Sequence, residues 1–158
     1  MMKYRRLAAV LVAVLTVFTF MPMASAQSTP TLSNIRTGQH AGFSRVVLDM
    51  SGLPTEHRVR EVTSVADCGS GNPISMPGST EILHVVLIGA AAHDDNGNPT
   101  YTGSRNFATP GLTNVNRVAL TCDFEATLGI AVGYGNPNSW HRVFTLTNPN
   151  RVVIDVGL

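Results

Sequence analysis

The sequence predicts an all-β domain, a small antiparallel β-sandwich of about eight strands. Three observations predict it. Helix signals are nearly absent, and strand signals recur every 8–14 residues between explicit turns. Asn-Pro occurs four times, at Asn72-Pro73, Asn98-Pro99, Asn136-Pro137 and Asn148-Pro149, and proline there fixes φ and withholds a ladder donor. Several segments alternate apolar and polar residues with period two, the pattern of a strand with one buried face.

In chain order, the first segment lies outside the sandwich. Lys3, Arg5 and Arg6 precede an apolar run over 7–20, and Ala24-Ser25-Ala26 supplies small residues for cleavage, so 1–26 reads as a secretory signal peptide. That run is short of the roughly 20 residues a membrane span needs. No cysteine follows it to carry a lipid. A released product without a stable membrane anchor is therefore expected, secreted or cell-wall associated. Residues 27–30 are a short linker, and 31–158 form one domain, a size typical of a single core.

Strands are predicted over 31–37, 43–51, 58–66, 81–90, 115–123, 127–134, 140–147 and 151–156. In the second, Val46, Leu48 and Met50 face one way while Arg45 and Asp49 face the other. The run from Ile82 to Ile88 is apolar on both faces, which predicts a central strand covered on each side. In the fifth strand Val118, Leu120, Cys122 and Phe124 share a face, as do Leu128, Ile130, Val132 and Tyr134 in the sixth. The segment from Ala91 to Leu112 is poor in strand signal, and loops of that length are often functional.

One hexamer occurs twice. Arg45-Val-Val-Leu-Asp-Met50 returns as Arg151-Val-Val-Ile-Asp-Val156, identical at four of six positions. Arg45 and Asp49 would stand about 13 Å apart on one face, too far to pair with each other. If the copies run antiparallel side by side, Arg45 meets Asp155 and Asp49 meets Arg151, because both pairs of numbers add to 200. If they lie in opposite sheets, each needs other partners.

Charge and cysteine content narrow the function. Without residues 1–26 the chain carries eight arginines, no lysine and ten acids, a formal charge of 8 − 10 = −2. Nucleic acid is an unsuitable partner, because phosphate binding needs an excess of basic residues. The two cysteines, Cys68 and Cys122, are expected to form a disulfide in an oxidising compartment.

Taken together these segments resemble a known family. Leu32-Ser-Asn-Ile-Arg-Thr-Gly-Gln-His40, followed by Gly42-Phe-Ser-Arg-Val-Val-Leu-Asp49, is similar to the start of an AMIN-like domain. The close, Phe144-Thr-Leu-Thr-Asn-Pro-Asn-Arg-Val-Val-Ile-Asp155, is similar to its end. The middle, from Gly69-Ser-Gly-Asn-Pro73 through His93-Asp94 to Pro99-Thr-Tyr101, resembles the actinobacterial AMIN-like branch. The resemblance covers residues 31–158. It implies a small β-sandwich working in the cell envelope, binding peptidoglycan or a wall-associated protein. The sequence closes two residues after its last predicted strand, so the zinc amidase module found with some AMIN domains is not expected.

No catalytic constellation stands out. Cys68-Gly-Ser-Gly-Asn-Pro73 is superficially similar to the nucleophile loop of trypsin-like proteases. Glycine stands where aspartate should precede the serine, however, and nothing marks His57 or His84 as its base. His93-Asp94-Asp95-Asn96-Gly97-Asn98 clusters oxygen ligands, but a calcium loop with Gly97 as its glycine would start on Ala92. No metal and no cofactor are expected. The candidate ligand-binding residues are Arg36, Arg45, Tyr101, Arg105 and Trp140, because aromatic rings stack on sugars and guanidinium pairs bidentately with carboxylates. Trp140 is in phase with Phe144 and Leu146, which favours a core position for its ring. The leading expectation is a non-catalytic envelope-binding module. The alternative is a secreted hydrolase or small-ligand carrier with its site in residues 91–112, and a pocket there with converging His and Asp side chains would favour it.

Overall fold

A computed structural model of the chain describes residues 28–158, so the signal peptide expected over 1–26 lies outside the described residues. Nine strands form two antiparallel sheets. They are β1 (Leu32–His40), β2 (Phe43–Met50), β3 (Glu56–Val62), β4 (Glu81–Ile88), β5 (Asn106–Ala108), β6 (Val115–Phe124), β7 (Thr127–Tyr134), β8 (His141–Leu146) and β9 (Arg151–Gly157). One sheet has the order β1-β2-β9-β8 and the other β3-β4-β7-β6-β5. The chain is a β-sandwich, as its turn spacing and alternation predict.

The core lies between the sheets. Val46 and Leu48 of β2 and Val152, Ile154 and Val156 of β9 are fully buried against Leu83, Val85 and Leu87 of β4 and Leu128, Ile130 and Val132 of β7. Each alternates with residues on the outer face, so these four inner strands offer one apolar side to the facing sheet. A polar tie closes the β3–β8 side: Tyr134 Oη donates to Glu61 Oε1 at 2.8 Å, and His141 Nδ1 stands 3.3 Å from the same oxygen.

The two copies of the repeated hexamer are neighbours. β2 and β9 pair antiparallel with Arg45 opposite Asp155 and Asp49 opposite Arg151, and every pair in the register adds to 200.

Three expectations are corrected. The described residues form nine strands rather than eight, because residues 106–108 add a three-residue edge strand to β6 inside the segment read as loop. The third strand ends at Val62, not at 66, because Val65 turns into a second apolar cluster with Ile82, Ala119 and Ala131 on the outer face of the five-stranded sheet. That cluster, capped by Ile74 and Met76, covers only one end of β4; His84 and Val86 remain half-buried. The double-sided apolar pattern of β4 thus reflects a folded-over segment and not a third sheet.

The third correction concerns β6. Its register shifts between Leu120 and Cys122. A bulge places two residues against one on the partner strand and breaks the alternation. Cys122 and Phe124 therefore leave the face of Val118 and Leu120. Cys122 turns outward to bond Cys68, at an S–S distance of 2.10 Å, and Phe124 is 62% exposed. Asp123 takes the inward side and accepts from the Ala92 amide at 2.8 Å.

Candidate functional site

The outer face of the four-stranded sheet is a regular array. Strand parity sends Asn34, Arg36, Gly38 and His40 of β1, and Asp49, Val47, Arg45 and Phe43 of β2, to this side. From β9 come Arg151, Val153, Asp155 and Gly157, and from β8 Leu146, Phe144 and Arg142, with Trp140 just before the strand. The register aligns them in four rows. His40, Phe43, Gly157 and Trp140 form an aromatic row at one end. Beside it lie Arg45, Asp155 and Arg142, then Arg36, Val47, Val153 and Phe144, and at the far end Asn34, Asp49, Arg151 and Leu146.

The aromatic row is held by contact. His40 stacks on Phe43 with centroids 4.7 Å apart, and Phe43 meets Trp140 at 5.9 Å. The indole lies over Gly157, where a Cβ would come within 2.6 Å of Nε1. Trp140 is 51% exposed, which overturns the core position its phase with Phe144 and Leu146 suggests. Trp140, Phe144 and Leu146 point outward, because the residues they face, Gly157, Val153 and Arg151, belong to the outward set of β9.

The next row is a fixed ionic cluster. Arg45 donates from Nε to Asp155 Oδ1 at 2.6 Å and from Nη2 to Oδ2 at 2.9 Å, and Arg142 Nη2 donates to Oδ2 at 2.6 Å. Burial pushes the Asp155 carboxyl up, but the Arg45 and Arg142 hydrogen bonds outweigh it and hold the group below its ordinary value. Both guanidinium groups also pack on rings, Arg45 at 5.2 Å from Phe43 and Arg142 at 4.8 Å from Phe144.

Asp49 is opposite Arg151 in the register but does not pair with it. Arg36, from the other neighbouring strand, donates to it bidentately at 2.7 and 2.6 Å. This hydrogen-bonded partner lowers the Asp49 carboxyl and raises the Arg36 guanidinium. Arg151 instead turns Nε to the Pro149 carbonyl at 3.2 Å. The reciprocal clamp expected from the repeat thus exists on one side only, because β1 supplies a better placed arginine for Asp49.

The structure brings together three of the candidate ligand residues, Arg36, Arg45 and Trp140, and separates two. Tyr101 is 7% exposed, packs in the core and donates its hydroxyl to the Ser104 carbonyl at 3.0 Å. Arg105 lies 3.8 Å from Asp123, beside the five-stranded sheet. Sequence reasoning missed Phe43, Arg142 and Phe144 as members of the face, although their parity with Arg45 and Trp140 carries that signal.

The other loops hold simpler arrangements. Ser70 donates to Asp67, which also accepts from the Ser70 and Gly69 amides, so Gly-Ser-Gly is a capped turn with no base at its serine. Asp94 accepts from the Asn96 and Asn98 amides and from Asn98 Nδ2. His93 Nδ1 lies 2.8 Å from Asp123 Oδ1, and a groove of about 270 Å³ there is lined by His93, Asp94, Asp95 and Thr29. Among the described residues no three His, Cys, Asp or Glu side chains gather to hold a metal ion.

The family model described as AMIN-like domain matches residues 30–157. No curated protein and no solved structure matches the chain.

Proposed function

The chain belongs to the AMIN-like domain family, and from that premise we propose that it is a non-catalytic envelope-binding module that holds peptidoglycan on the outer face of its four-stranded sheet. The family suggests a cell-wall-related binding role and an extracytoplasmic location, and the Cys68–Cys122 disulfide is consistent with export. The observation that carries the finer reading is the half-exposed Trp140, set in line with Phe43 and His40 beside a row of guanidinium groups. A ring with one free face stacks on sugar, and arginines beside it meet anionic groups of the same polymer. The face is shallow, so binding is weak and multivalent on an insoluble wall.

The test is co-sedimentation of the exported domain with purified peptidoglycan at low and high salt, with released muropeptides assayed in parallel. Retention at low salt that weakens at high salt, and that Trp140→Ala reduces at least fivefold, is expected, since salt screens the arginine contacts. No retention at low salt would end the proposal.

A second reading, a hydrolase or ligand carrier using residues 91–112, is favoured by the groove at His93, whose imidazole is oriented by Asp123. It ranks below the first because Asp94 is committed to its turn and neither serine nor cysteine lines that groove. Muropeptide release that disappears in His93→Ala would reverse the ranking.

A further inference from the structure

We propose that the end of this face remote from Trp140 is a receptor for a free α-carboxylate, held by Arg151 above a floor of Val47 and Val153, and that its ligand is the small C-terminal residue of a wall peptide. The proposal rests on the envelope-binding reading and names the chemistry of one part of it.

The first observation is a depression. Arg36, Arg45, Arg151 and His40 surround a groove of about 250 Å³ whose floor is Val47 and Val153. That is below the roughly 300–1,000 Å³ of drug-sized pockets, so it suits one small residue and not a run of sugars. Gly38 opens its side: a Cβ there would meet only His40 Nε2, at 3.9 Å.

The second observation is charge. The face carries four arginines (Arg36, Arg45, Arg142, Arg151) against Asp49 and Asp155, a net 4 − 2 = +2. The rest of residues 27–158 carries the other four arginines and eight acids, 4 − 8 = −4. An anion is therefore drawn to this face of an otherwise acidic protein.

The third observation is which donors are engaged. Arg36 and Arg45 each commit Nε and Nη2 to a carboxylate. Arg151 commits only Nε, to a carbonyl, and among the described residues no carboxylate oxygen lies within 4.0 Å of it. Its two Nη groups are a fork at the groove, the geometry that takes a carboxylate bidentately. The valine floor below accepts a methyl-sized side chain and would gain nothing from a charged one. Rows two residues apart along a strand are spaced by about 6.8 Å, so Arg151 lies about 20 Å from the Trp140 row. The groove itself reaches from Arg151 to His40 of the aromatic row, so a wall fragment with its sugar on Trp140 can run its peptide along the same face toward Arg151.

The experiment titrates the folded domain with N-acetyl-D-alanyl-D-alanine, with its C-terminal amide and with the L,L acid, following the Arg151 Nε–H and Val153 methyl resonances. The D,D acid is expected to move both signals saturably, with the amide and the L,L acid at least tenfold weaker. Arg151→Gln and Gly38→Val should each weaken the acid at least tenfold, while Arg60→Gln, which removes an equal charge from the other sheet, leaves it unchanged. Equal affinity for acid and amide on the unaltered protein, or no effect of Arg151→Gln, would overturn the site. Tighter binding of the L,L acid would assign the groove to protein C-termini and overturn the wall-peptide ligand. Wall co-sedimentation without binding of the D,D acid would refute this inference alone, and the reverse result would refute the envelope reading alone.

Discussion

Asp155→Asn tests the ionic row most directly. The substitution keeps the side-chain volume, so it opens no cavity, but it replaces a carboxylate oxygen with an amide that donates toward Arg45 or Arg142. Three charge-assisted hydrogen bonds of 2.6, 2.9 and 2.6 Å are disturbed. Each such bond contributes about 1.5–3 kcal/mol, and breaking a wholly buried pair costs about 3–5 kcal/mol. Here the carboxylate is fully buried but the arginine side chains are 26% and 57% exposed, so both cations recover water. The loss should therefore be about 2–4 kcal/mol, read as a lower urea midpoint at pH 7 with an unchanged m-value. The pH dependence fixes the sign. The folded carboxyl lies below its ordinary value, so its contribution is present above the unfolded value of about 3.9 and is lost as pH falls through the folded one. The gap between wild type and Asp155→Asn should stay constant from about pH 5 to 8 and close below about pH 4. A loss under about 0.5 kcal/mol, the size of an ordinary surface change, would refute this account of the cluster.

Replacing Cys68 and Cys122 by serine removes a cross-link over 54 residues, and in the chain-entropy model this costs about 4 kcal/mol; a change below 1 kcal/mol by urea unfolding would contradict it. Glu125 and Ala126 both have positive φ, 46° and 53°, in the two-residue turn between β6 and β7. Changing them to Asn-Gly should raise stability by about 1 kcal/mol in the same assay, because that pair suits a turn with two left-handed residues. Gly157→Ala puts a methyl against the indole, so it should shift the emission of the chain's single tryptophan and lower wall retention, at a stability cost of about 1–3 kcal/mol. Unchanged emission would show that Trp140 does not rest on Gly157.

Much of the fold was legible in the residues. Turn chemistry and period-two alternation gave the strands and the all-β class, and the arithmetic of two like hexamers placed Arg45 opposite Asp155. These features are local or nearly so: a strand's alternation is written in its own residues, and a register that adds to 200 follows once two strands are neighbours. The resemblance to AMIN-like domains likewise depends on the order of short segments and needs no coordinates.

The tertiary structure decided the rest, because each remaining feature depends on a neighbour that the segment itself does not encode. Alternation shows that Trp140, Phe144 and Leu146 share a side, but only their placement opposite Gly157, Val153 and Arg151 makes it the outer one. Asp49 could bond Arg151 on one flank or Arg36 on the other, and geometry at the β1–β2 pair selected Arg36. The bulge after Leu120 turned Cys122 toward Cys68, which no period-two reading can anticipate. The sequence by itself determined which residues share a face of each strand. Only the packing of the two sheets determined which face meets water, and so which of that face's four arginines was left without a carboxylate within 4.0 Å.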